Sequence, residues 1–185
     1  MKAIQDLRME HDAVRLTLKV LERIAQKIEQ KGTLDDPRHV DQLLEFFTVF
    51  VDRCHHGKEE ELLFPALEQA GVARDKGPIG VMLREHELGR ECVQKMKAAV
   101  TRIKAGEPPA AKDFARSARD YIALLNQHID KENNVLFPMA ERQLSEATLA
   151  ELSKGFDRIE EQKIGVGKHE EFHQMIDQLE RVYLK

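Results

Sequence analysis

The chain reads HHGKEEELLFP from His55 and HIDKENNVLFP from His128. The shared Leu-Phe-Pro ends place these two histidines in register, and Glu59 in register with Glu132. Each copy is a His-x-x-x-Glu pair. On a helix, side chains four residues apart lie on one face about one turn from each other, so an imidazole and a carboxylate project into the same space. This spacing is typical of helices that bind a metal.

The repeat extends upstream of both copies. Glu10-His11-Asp12 is matched by Glu85-His86-Glu87 before the second copy. Each repeat is therefore predicted to be a pair of helices, the first with a lone histidine and the second with the His-x-x-x-Glu pair. Two such units facing each other bring four histidines and two glutamates together, as in di-metal carboxylate sites of helix bundles. The predicted ligands are His11, His55, Glu59, His86, His128 and Glu132.

The composition favours one all-α domain. The 185 residues are 34% charged and 5% aromatic, with no Trp, which suits amphipathic helices better than packed sheets. A net charge of −4 without a basic cluster gives no footprint for nucleic acid or an anionic membrane, so neither is expected as a partner. Two cysteines are a poor disulfide framework. The first residues lack the apolar run of a signal peptide, and no stretch approaches the roughly 20 apolar residues of a membrane span, so neither is expected. A soluble, cytoplasmic protein is expected.

Apolar residues at steps of three and four predict the helices and the division of the chain. Four long helices are predicted, over about 3–31, 37–70, 78–105 and 110–143. They form two helical hairpins, 3–70 and 78–143, within a bundle over 1–144, and 145–185 is a C-terminal helical extension that packs on it. Asp36 is expected to cap the second helix ahead of Pro37, and Pro138 to kink or shorten the fourth.

The second helix offers two overlapping ligand pairs. His55 with Glu59 and His56 with Glu60 have the same spacing, one residue apart, and the helix alone does not choose between them. A buried carboxylate needs a partner, because leaving it unpaired costs several kcal/mol. The register of the repeat favours His55 and Glu59. On this interpretation, replacing His55 lowers metal content more than replacing His56.

The C-terminal extension carries one more histidine on an apolar face. Ser145 is expected to cap its first helix, and His169 is centred on the face that Phe172 and Ile176 define. His173 follows one turn later. Two interpretations stay open: the extension covers the bundle by packing alone, or His169 is a further metal ligand or supports one.

Mixed imidazole and carboxylate ligands suit iron, with manganese or zinc as substitutes. Six ligands shared by two metals, with both glutamates bridging, make about eight bonds; an oxo or hydroxo bridge adds two, leaving about two of the twelve positions open.

The sequence resembles the hemerythrin-like, HHE cation-binding domain over about residues 3–143. The resemblance implies an up-down four-helix bundle around a non-haem di-iron centre held by the six ligands given above. Oxygen-carrying members have a histidine where this chain has Arg90 and an aspartate where it has Asn133, which argues against oxygen storage. The four-His, two-Glu set is more similar to relatives linked to nitric oxide stress, iron-sulfur repair and sensing. His169 is then a candidate for the missing third-helix ligand.

The leading hypothesis is a di-iron protein that binds or reacts with dioxygen, nitric oxide or peroxide in sensing, stress defence or iron supply. One alternative is an oxidoreductase that consumes peroxide or nitric oxide, with Tyr121 and Cys54 as the nearest redox-capable side chains. Another is a binding module that the metal stabilises and that signals to a protein partner, which the sequence does not identify.

Overall fold

Six helices make up nearly all of the computed structural model, which describes residues 2–165 and 167–185. No strand occurs in these two ranges, so the fold is all-α, as the composition predicts. The helices are α1 (Lys2–Lys31), α2 (37–69), α3 (Pro78–Lys104), α4 (109–143), α5 (Glu146–Lys163) and α6 (Lys168–Tyr183).

The helix ends follow the residues that the sequence marks as caps. The carboxylate of Asp36 accepts a hydrogen bond from the backbone N–H of Arg38 at 2.9 Å, which satisfies a free donor at the start of α2. Ser145 Oγ accepts from the backbone N–H of Thr148 at 3.1 Å at the start of α5. Gly106 ends α3 with φ of 79°, a conformation that a side chain would disfavour.

π-Helical turns interrupt α2 and α4, which the apolar spacing does not predict. In α2 they cover Phe47–His56 and Glu59–Leu63, and in α4 they cover Glu132–Leu136. The last two segments each end two residues before a proline. A proline donates no hydrogen bond and crowds the preceding turn of a regular helix, and a wider turn relieves this crowding. Helix α4 therefore continues to Gln143 and is not shortened at Pro138.

The apolar core has two parts. One part, which we call the end cluster, joins the N-terminal turns of α1 and α3 to the C-terminal turns of α2 and α4, with Phe64 and Phe137 fully buried. The other part, the central cluster, holds the remaining halves of the same four helices, including Phe47 and Phe114. Buried polar residues lie between the two parts along each helix: His11, His55, His56, Glu59, His86, His128 and Glu132.

Helices α5 and α6 pack on the four longer helices. Phe156 of α5 belongs to the end cluster, and Phe172 and Leu179 of α6 belong to the central cluster. The Phe172 ring stands edge-on to Phe46, with ring centroids 5.4 Å apart. None of the described helices has the length and apolar character that crossing a membrane requires.

Candidate metal centre

Seven buried side chains form two groups that share Glu59. Within each group the candidate ligand atoms lie within 4.8 Å of one another. The group that we call site A contains His11, His55, Glu59 and Glu132, and site B contains His56, Glu59, His86 and His128. All seven side chains are buried. The structure thus brings together the six ligands predicted from the sequence and adds His56.

The carboxylate of Glu132 faces both sites. Its Oε2 lies 3.0 Å from His11 Nε2 in site A, and its Oε1 lies 3.2 Å from His128 Nε2 in site B. His11 Nε2 is also 3.1 Å from His55 Nε2. The imidazoles of site A therefore point their Nε2 atoms at one place, as ligands of a common ion do.

The carboxylate of Glu59 also directs one oxygen toward each site. Its Oε1 lies 3.7 Å from His55 Nε2 in site A, and its Oε2 lies 3.4 Å from His86 Nε2 in site B. The π-helical segment Glu59–Leu63 begins at this residue, as the equivalent segment of α4 begins at Glu132. Each carboxylate thus has one oxygen toward site A and one toward site B.

In each site, a glutamate contacts one histidine at Nδ1, on the side of the ring away from the Nε2 atom that faces the site. Glu10 Oε2 lies 2.7 Å from His55 Nδ1, and Glu85 Oε2 lies 3.1 Å from His128 Nδ1. A carboxylate acceptor fixes the tautomer with the proton on Nδ1, which leaves Nε2 free to bind a metal. Glu10 and Glu85 precede the lone histidine of their repeats, so the sequence repeat includes this support.

A lysine donates a hydrogen bond to each of these two glutamates. Lys58 donates to Glu10 Oε1 at 2.5 Å, and Lys131, which has the same register in the second repeat, donates to Glu85. Burial alone would raise the pKa of Glu10, but the contacts with His55 and Lys58 lower it to about 2. Glu10 therefore remains an anion behind the ligand that it orients.

The lone histidines of the two repeats have supports that differ in charge. Glu60 Oε1 lies 2.7 Å from His86 Nδ1 and also accepts from Arg90 at 2.7 Å. Asn133, in the same register of the second repeat, places its Oδ1 3.1 Å from His11 Nδ1. Glu60 thus contacts His86, and it belongs to neither site A nor site B.

His56 enters site B beside His86. The two imidazole rings are stacked, with centroids 3.7 Å apart and an angle of 12° between their planes. In a regular helix, adjacent side chains point toward different faces. The sequence-based prediction therefore takes His55 and His56 as alternative ligands. The π-helical segment Phe47–His56 ends on this pair, and both are buried. The doubled histidine on a buried seam was the signal for a further ligand.

The family model of the hemerythrin HHE cation-binding domain matches residues 2–140. The chain belongs to this family. The iron-sulfur cluster repair protein YtfE of Escherichia coli is 33% identical over 136 residues, which are 70% of this chain and 60% of that protein. An uncharacterized protein of Mycobacterium tuberculosis is 25% identical over 163 residues, 88% of this chain and 63% of that protein. The chain thus spans less than two thirds of either relative. No solved structure matches it.

The residues at the centre of this HHE domain fit a metal. Both oxygens of Glu59, both nitrogens of His56 and Nε2 of His86 are buried without a hydrogen bond. Glu132 has the imidazoles of His11 and His128 within reach. Burying polar atoms without partners is costly, and burying two adjacent carboxylates is more so. A cation between them removes both costs, because it replaces the missing hydrogen bonds and balances the charge.

The charges of the centre also favour a bound cation. Burial and the neighbouring Glu132 raise the pKa of Glu59 well above its usual range. Burial would also raise the pKa of Glu132, but His128 and His11 hold it well below its usual range. Burial alone would lower the pKa of His128, yet Glu132 raises it to about 10. The two buried carboxylates thus depend on nearby positive charge, which a bound ion would supply.

Four further residues singled out by the sequence lie outside the two sites. His169 and His173 of α6 line a cavity on the outer side of Glu10, and neither belongs to site A or site B. Burial raises the pKa of the Cys54 thiol to about 12, so this cysteine remains protonated. Tyr121 is buried, and it lines a cavity of about 40 Å³ that also touches His56.

Proposed function

We propose that sites A and B hold two non-haem iron ions bridged by Glu59 and Glu132 within an up-down four-helix bundle. The observation that carries this proposal is that each carboxylate turns one oxygen toward each site. Imidazole and carboxylate ligands suit iron, with manganese or zinc as substitutes. The up-down order is supported by the end cluster, where N-terminal turns of α1 and α3 meet C-terminal turns of α2 and α4.

The ligand count leaves room for one small molecule. Site B has three imidazoles and site A has two. With two bridging carboxylates, these residues make about nine bonds, and an oxo or hydroxo bridge adds two, so about one of the twelve positions stays open. Without His56, the same count leaves about two. The open position belongs to site A, because it has one imidazole fewer.

The proposed role is to bind or react with dioxygen, nitric oxide or peroxide in stress defence, sensing or iron supply. A bound pair of iron ions supplies electron exchange with such molecules. The relative YtfE is named for iron-sulfur cluster repair, which supports a role in stress defence. Cys54 and Cys92 form no disulfide, which fits action in the reducing cytoplasm.

The protein residues orient the imidazoles and exclude larger substrates. Glu10 and Glu85 keep a proton on Nδ1 of the histidine in front of them. All seven side chains of the two sites are buried. A buried centre is reached more easily by a small molecule than by a large one, which favours a diatomic or peroxide ligand.

Metal analysis and an optical titration test this proposal. Protein from iron-supplied cells should contain about two iron atoms per chain, and azide or nitric oxide should change its spectrum. Glu59→Gln should lower the iron content, whereas Glu61→Gln, an exposed neighbour, should not. One zinc and no iron would overturn the assignment of iron. Two irons with no response to azide or nitric oxide would mean a closed centre and support the metal-stabilised binding module.

A further inference from the structure

We propose that His169 and His173 form a second metal site, exposed and separate from sites A and B, for a divalent first-row transition metal. The two histidines lie four residues apart on α6, so their rings share one face of the helix. Their Nε2 atoms are 2.8 Å apart. Two nitrogens bound to one ion at about 2.05 Å stand about 2.9 Å apart at a right angle and about 3.3 Å apart at a tetrahedral angle. The pair therefore needs to open by about half an ångström at most to chelate an ion.

Glu160 of α5 lies beside one ring of this pair. Its Oε1 is 2.6 Å from His169 Nδ1, an ion-pair contact without the geometry of a hydrogen bond. The carboxylate therefore places a negative charge next to the pair, which favours a bound cation. Phe50 packs edge-on against the same ring, with centroids 5.9 Å apart. The His169 imidazole is thus held in place before an ion arrives.

The surroundings of the pair favour a cation. The two histidines line a cavity of about 300 Å³ whose walls carry four acidic and two basic side chains: Asp6, Glu10, Asp157, Glu160, Lys2 and Lys58. The excess of acidic groups attracts positive charge. The volume admits the waters that complete the coordination of an ion with few protein ligands.

Three side chains, Glu160, Lys58 and Glu10, lie between this pair and His55 of site A. Lys58 donates to Glu160 Oε2 at 3.1 Å and to Glu10 Oε1 at 2.5 Å, and Glu10 in turn contacts His55. The exposed pair contributes no ligand to site A or site B. An ion at the exposed pair would therefore bind without entering the buried centre.

Imidazole ligands select among divalent ions. They suit nickel, copper and zinc, whereas calcium and magnesium prefer oxygen ligands. Without an ion, one Nε2 donates a hydrogen bond to the other across the same 2.8 Å. Hydrogen bonding alone is therefore the competing explanation for the contact, and zinc binding distinguishes the two.

The test is a calorimetric titration of the iron-loaded full chain with Zn²⁺ near neutral pH, with iron measured before and after. We expect one zinc per chain in addition to the metal of the buried centre. His169→Gln and His173→Gln should each abolish this step, and Glu160→Gln should weaken it, because it removes the negative charge beside the pair. His39→Gln is the matched control, because His39 is the remaining histidine and contacts the Tyr183 hydroxyl, not the pair.

Two results would overturn the proposal: no zinc step in the unaltered chain, or a step of equal size in His169→Gln and His173→Gln. Circular dichroism of each variant reports whether α6 remains folded. Iron content is measured separately, so the two proposals fail independently. A chain that binds zinc at the pair but holds no iron contradicts the proposed function alone.

Discussion

His56 and Ile129 occupy the same register of the two repeats, and this difference gives site B a third imidazole that site A lacks. Around it the repeats agree, since Lys58 matches Lys131 and Glu59 matches Glu132. The difference in the number of imidazoles thus depends on one position. Ile129 is buried, so the side of site A that lacks an imidazole has an apolar residue in the equivalent place.

Ile129→His should close site A to small ligands. The new imidazole stands where His56 stands in the other repeat, so it should take the open position. We expect the iron content to stay near two per chain and the rate of azide binding, followed by stopped-flow absorbance, to fall at least tenfold. Ile129→Val is the control, because it removes one methyl group and adds no ligand. Unchanged azide binding in Ile129→His would place the open position elsewhere.

His55→Gln and His56→Gln should each lower the iron content from about two toward one per chain. The register of the repeat alone predicts a larger loss for His55, but the structure gives each histidine to a different site. Metal analysis after purification measures the loss, and His39→Gln should leave the content unchanged. Full iron in His56→Gln would mean that His56 is a neighbour of site B and not a ligand.

Glu10→Gln and Glu85→Gln should weaken metal binding without abolishing it. Each removes a carboxylate behind a ligating imidazole, which typically costs 10–100-fold in affinity, or about 1.4–2.8 kcal/mol. Competition with a chelator measures the affinity. The exposed neighbours Asp12 and Glu87 provide Asp12→Asn and Glu87→Gln as controls of the same charge change. Equal losses in all four variants would point to net charge and not to orientation of the ring.

Leu179→Ala should destabilise the whole protein, although α6 lies far from the predicted ligands in sequence. Leu179 is fully buried in the central cluster, and removing a buried leucine side chain typically costs about 2–5 kcal/mol. Val182, on the same helix, is 50% exposed, so Val182→Ala should change the free energy of unfolding by less than about 0.5 kcal/mol. Urea denaturation measures both. A small effect of Leu179→Ala would mean that α6 is loosely attached.

The stabilising effect of the Asp36 charge should disappear in acid. The side chain and backbone N–H of Arg38 lower the pKa of Asp36 from 3.8 to about 2 in the folded chain. A lowered folded pKa stabilises the protein above the unfolded pKa, and this contribution fades as pH falls from about 4 toward 2. Asp36→Asn keeps the cap but loses the charge. The difference in urea midpoint between the two proteins should shrink over that window, and a constant difference would contradict the shift.

The helices and most of the centre could be predicted because both follow a regular period. His11 and His86 interrupt apolar seams of helices that the structure places within a few residues of the predicted bounds. A repeated His-x-x-x-Glu pair then defines the facing positions. These features are local, so spacing along one helix is enough to find them.

His56 could not be chosen from spacing, because a π-helical turn changes the period that the prediction assumes. The support of His55 by Glu10 joins two helices. The repeat matches Glu10 with Glu85, but spacing along one helix does not show which histidine each glutamate supports. His169 lies on the predicted apolar face of α6, but it is at the edge of that face, against Glu160 and a cavity. The contacts of a residue at the edge of an apolar face depend on how the helices pack, which spacing along one helix does not show.

We expect the polar layer between the two parts of the core to let the end cluster open separately from the central cluster, and a bound metal to oppose this opening. Helices α1 to α4 run through both clusters, but the side chains buried between them are histidines and carboxylates and not apolar groups. Opening of that end alone then exposes the ligands while the central cluster remains folded. Metal could be loaded or surrendered through this partial opening, so exchange need not wait for global unfolding.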